Sequence, residues 1–87
     1  PRAGVPGEPA EPRRAQLLMD AERVEELRAE ARHHRQRYDL YRAKAYGQRP
    51  TSPVRLRELE RIAQAAEERL ANAERALQHR RAGDGPA

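Results

Sequence analysis

At 87 residues, with 37% of side chains charged and 3% aromatic, the chain has room for one small domain and too little apolar mass for a globular sandwich. It contains no cysteine, which excludes a disulfide-stapled miniprotein, thiolate zinc sites and cysteine nucleophiles. The formal net charge is +4, the longest strongly apolar run is Leu17-Leu18-Met19, and no signal-peptide pattern occurs, so a cytoplasmic protein without a membrane span is expected.

In chain order, residues 1–12 hold four prolines and two glycines and read as a disordered tail. An alternating spacing of three and four then places Leu17, Asp20, Val24, Leu27, Ala31, His34, Tyr38, Tyr41 and Ala45 on one stripe, which predicts a helix over about 13–46. Gly47 and Pro50 interrupt it. Glycine can take the left-handed conformation that closes a helix, and proline turns the preceding Arg49 away from helical angles. Ser52 offers a hydroxyl N-cap, and Pro53 suits the first helical position, where a missing N–H costs nothing. Leu56, Leu59, Ala63, Ala66, Leu70, Ala73 and Leu77 repeat the stripe and predict a second helix over about 53–81, followed by a short disordered tail at 82–87.

The two stripes complement one another when the chain doubles back. Pairing around the turn sets Ala45 against Leu56, Tyr41 against Leu59, Tyr38 against Ala63, His34 against Ala66, Ala31 against Leu70, Leu27 against Ala73 and Val24 against Leu77. In five of these seven layers a larger side chain faces an alanine, which lets the helices approach without voids. The same register lines up Arg28, Arg35 and Arg42 with Glu74, Glu67 and Glu60 on one flank, and Glu30 with Arg69 on the other. Lys44 falls opposite Arg55, a like-charge pair. The fold class is therefore all-α, an antiparallel two-helix coiled-coil hairpin. Alanine-rich layers offset little of the entropy lost in ordering two long helices, so assembly into a four-helix bundle, or docking onto another protein, is expected.

Two surfaces are candidate sites. Met19, Leu40, Ile62, Ala65 and Ala76 lie beside the seam on the flank away from the Arg/Glu rungs, and form the candidate face for a second copy or a regulatory partner. Residues 32–57 hold eight basic side chains against one acid, Asp39, a local charge of +7 at the turn end. Arg37, Lys44, Tyr46, Arg49, Arg55 and Arg57 are the polyanion-binding candidates there, because basic groups hold phosphates and an open ring stacks on bases. Nucleic acid is thus the alternative to a protein partner, and an acidic partner at the same tip would equally relieve the Lys44/Arg55 repulsion. His33 and His34 point about 100° apart on a helix, and His79 pairs far from both, so no metal site is expected. No Ser/His/Asp set and no phosphate-cradling glycine loop occurs, and Glu25, Glu26 and Asp39 fall on solvent faces. The sequence predicts no enzyme and no cofactor.

Arg37-Tyr38-Asp39-Leu40-Tyr41-Arg42-Ala43 resembles a stretch of the helical-hairpin anti-sigma factors of high-GC actinobacteria that respond to cyclic di-GMP, and seventeen arginines against one lysine suit a GC-rich genome. That family binds the dinucleotide through a Glu-x3-Ser-x2-Arg-x3-Gln-x3-Asp series. Asp39 alone matches it, with Arg35, Ala31, Arg28 and Val24 at the other places. What the resemblance implies is a small antiparallel hairpin that docks onto a transcription factor, without the dinucleotide site.

Overall fold

The computed structural model describes residues 10 to 83, which form two antiparallel α-helices, α1 at Ala10–Ala45 and α2 at Pro53–Gly83, joined by a turn. The fold is the helical hairpin that the two stripes predict, and no strand occurs among the described residues. At 1.5 Å per residue α1 is about 54 Å long and α2 about 46 Å. With the observed pairing of Arg28 to Glu74 and Arg35 to Glu67, the first two turns of α1 reach beyond the end of α2.

Helix α1 starts earlier than the sequence predicts: residues 10 to 12, assigned to the tail, are helical. The proline there is harmless because Pro12 lies in the first turn, where its missing N–H has no intrahelical acceptor. Glu11 beside it complements the positive end of the helix dipole. Helix α2 likewise takes two residues of the 82–87 tail, ending at Gly83. The remaining tail residues, 1–9 and 84–87, lie outside the described residues.

Every position of the two predicted stripes is buried or half-buried. Tyr38, Leu59 and Ala63 form a central cluster, with Tyr41 and Leu56 packed against it. The most deeply buried residues are the alanines Ala63 and Ala66, at 0% and 1% exposure. They face Tyr38 and His34 in the predicted register, and the small side chain on α2 lets the larger one on α1 lie across it. No large side chain among the described residues is completely buried, and no polar or charged one is buried at all. The seam is one layer deep, with water on both sides.

The turn departs from expectation at one residue. Gly47 does not adopt the left-handed conformation. Helix α1 closes instead with the Tyr46 amide on the Arg42 carbonyl at 3.2 Å and the Gly47 amide on the Lys44 carbonyl at 3.0 Å, a tightened last turn. Ser52 caps α2 as predicted: its hydroxyl accepts from the Arg55 amide at 3.2 Å and its carbonyl from the Leu56 amide at 2.9 Å. The Ser52 amide in turn donates to the Tyr41 hydroxyl at 2.8 Å. The cap of α2 is thereby tied to a ring on α1.

Candidate functional site

The Arg/Glu flank fixes how the helices are aligned. Arg35 donates twice to the Glu67 carboxylate, from Nε at 2.9 Å and from Nη2 at 2.7 Å. Arg28 reaches Glu74 at 2.9 Å and also holds Glu25 on its own helix. The hydrogen bonds it donates to Glu74 and then Glu25 raise the Arg28 pKa, and those donated to Glu67 raise the Arg35 pKa. Reciprocally, the Arg35 hydrogen bond lowers the Glu67 pKa, against the opposing effect of desolvation.

The third rung does not form. Arg42 lies over the Tyr46 ring, its guanidinium carbon 5.6 Å from the centroid, and the Tyr46 hydroxyl raises its pKa. Tyr46, four residues on and in the turn that closes α1, is close at hand, whereas Glu60 must be met across the seam. The expected pairing of Glu30 with Arg69 is also absent, both side chains standing exposed in solvent. One cross-helix pair went unpredicted. Asp20, assigned to the seam, binds Arg80 near the end of α2 and accepts from Gln16 at 3.1 Å. The register does bring positions 20 and 80 level, but an acid on an otherwise apolar stripe is easily read as packing.

At the turn end, the predicted polyanion residues divide between two sides. Arg37, Lys44 and Arg55 line a shallow groove of about 320 Å³ whose floor is Leu40, Tyr41 and Leu59. Here the like-charge contact of Lys44 and Arg55 is relieved within α2, because Arg55 binds Glu58 at 3.0 Å. Tyr46 lies toward the Arg/Glu side, held by Arg42 and 78% exposed. Arg57 comes level with Tyr46 in the helix register, and Arg49 is exposed in the turn. From Leu40 to Arg57 the chain has no acidic residue at all. The first turn of α2 likewise carries none to offset its dipole.

The five residues of the predicted docking face are all exposed, Met19 at 61%, Leu40 at 60% and Ile62 at 36%, and Ala65 and Ala76 as well. They do not make one patch. Met19 and Leu40 are about 31 Å apart along α1 at 1.5 Å per residue. Ala76 belongs to a separate narrow groove at the open end, with the Asp20–Arg80 pair and Arg23. Leu40 lines the basic groove, and the helix register brings Ile62 level with it, with Ala65 one turn further along α2. Two further exposed apolar residues, Leu18 at 62% and Val54 at 66%, were not singled out from the sequence. Neither falls on a stripe, so periodicity carries no signal for them.

His33 and His34 contact edge to face, with centroids 5.3 Å apart, and among the described residues no three His, Cys, Asp or Glu side chains are grouped as metal ligands. No described helix is long and apolar enough to cross a membrane. The chain matches no family model, no curated protein and no solved structure.

Proposed function

We propose that this chain is a non-enzymatic interaction module, a helical hairpin that pairs with a second copy of itself through the Leu40, Ile62 and Ala65 flank to form a four-helix, coiled-coil-like bundle. The observation that carries the reading is the shallow seam: the described residues bury no large side chain completely, while Leu40 stays 60% exposed directly beside it. A second hairpin laid on that flank closes the core from the open side, where isolated helices gain most of their stability.

Charge distribution favours one orientation. Residues 31–71, the turn half, hold ten basic side chains and five acids, whereas residues 11–30 and 72–83 together hold seven of each. Two copies aligned turn to turn would bring the positive halves together. An antiparallel pair sets each positive half beside a neutral one and avoids that repulsion. The other occupant of the same flank is a regulatory protein, the role that the resemblance to anti-sigma factors implies.

Self-association predicts a melting temperature that rises with protein concentration, because dissociation accompanies unfolding. Ile62→Glu places a charge at the seam shoulder and should abolish that dependence. A wild-type melt that is independent of concentration would overturn self-association and leave the heterologous partner.

A further inference from the structure

The basic turn contains a feature that pairing of hairpins does not use. From Leu40 to Arg57 the chain carries Arg42, Lys44, Arg49, Arg55 and Arg57 and no acid. Among these, Arg55 alone forms a close ion pair with a carboxylate, Glu58. Arg42, which the register would have neutralised with Glu60, is instead turned onto Tyr46. The consequence is a ring 78% exposed, backed on one face by a guanidinium and open on the other. Arg49 stands in the turn beyond it, and Arg57 comes level with it on α2.

We infer that this end of the hairpin binds single-stranded nucleic acid, with a base stacked on the open face of Tyr46 and the flanking phosphates held by Arg42, Arg49 and Arg57. The stacking half of the inference rests on the Arg42–Tyr46 pair. A guanidinium against one face holds the ring in place and leaves the other face for an aromatic ligand, which a carboxylate-bearing partner has no use for. The electrostatic half rests on five basic side chains and no acid over eighteen consecutive positions, 40 to 57. A duplex presents its bases already stacked, so the exposed ring selects an unpaired strand. Asp39 and Glu58 are the nearest acids in sequence to this surface, and they lie on α1 and α2, on either side of the turn.

Fluorescence anisotropy of a labelled oligothymidylate with the full chain tests this. Three phosphate contacts give a slope of log affinity against log salt of about −2, so that affinity falls roughly 20-fold between 50 and 200 mM salt. Tyr46→Ala leaves the charge unchanged and should weaken the single strand roughly 5- to 100-fold while leaving heparin binding unaltered. Arg49→Glu with Arg57→Glu should abolish both, with helicity retained because both side chains are exposed. Absence of binding at 50 mM salt overturns the inference. Equal losses for oligothymidylate and heparin on Tyr46→Ala, or no loss for either, also overturn it, as does tighter binding to a duplex of the same length.

Discussion

The Arg35 guanidinium and the Glu67 carboxylate meet across the seam through two hydrogen bonds, from Nε at 2.9 Å and Nη2 at 2.7 Å, the planar fork matching both carboxylate oxygens. The next rung, Arg28 to Glu74, has a single bond because the Arg28 guanidinium is shared with Glu25.

The two-pronged rung should show the clearest charge-order dependence. Arg35→Glu sets two acids against each other and destabilises the hairpin, and adding Glu67→Arg restores most of the loss. Both side chains are more than a third exposed, so solvent screening limits the coupling to about 0.5–1 kcal/mol. A double-mutant cycle by thermal melting measures it, and a coupling indistinguishable from zero would show that the rung does not hold the register.

Acid should remove the same contribution. The Arg35 hydrogen bond lowers the Glu67 pKa in the folded chain below its unfolded value. The stabilisation is therefore complete above the unfolded carboxylate range and is lost as pH falls through the lowered folded pKa. Wild type and Glu67→Gln melted from neutral pH downward should converge in acid. A gap that stays constant with pH would contradict the account.

Arg42 and Glu60 give the opposite expectation. Since Arg42 rests on Tyr46, Arg42→Ala and Glu60→Ala should be additive in a double-mutant cycle. Coupling as large as that of Arg35 with Glu67 would mean that the third rung forms in solution.

Three substitutions at the turn separate backbone from side-chain effects. Gly47 is not left-handed, and an added Cβ would meet the Lys44 carbonyl oxygen at 3.5 Å, an ordinary contact. Gly47→Ala should therefore be tolerated, with a gain of up to about 0.4–1 kcal/mol from the restricted unfolded chain. Ser52→Ala removes the acceptor for the Arg55 amide and should cost about 1 kcal/mol. Tyr41→Phe keeps the ring but strips the acceptor from the Ser52 amide, at a cost of about 0.5–1.5 kcal/mol. Calorimetric or circular-dichroism melts report all three, and a destabilising Gly47→Ala would contradict the right-handed closure.

The hairpin was legible in the sequence because its determinants are local or periodic. Spacing alone placed Val24, Leu27, Ala31 and Tyr38 on one stripe and Leu59, Ala63, Ala66 and Leu77 on the other, and these eight are the buried residues among those described. Ser52 and Pro53 marked the start of α2 by cap chemistry. The misreadings arose where one side chain had two partners in reach. Arg42 could meet Glu60 across the seam or Tyr46 just past the end of its own helix, and the register counts only the first. Asp20 reads as packing on a stripe until the length of α2 brings Arg80 to it. The candidate docking face was legible residue by residue, since each member is exposed, but not as a unit. Stripe position says which side a residue faces and leaves out how far apart Met19 and Leu40 lie along the helix axis.

Sedimentation equilibrium of the wild type beside Ile62→Glu is the most direct test of self-association. The account predicts a wild-type mass near twice the 10.0 kDa of one chain, falling to that of a single, less helical chain on substitution. A wild type that sediments as a stable, fully helical monomer at high concentration, or a dimer that Ile62→Glu leaves intact, would contradict it.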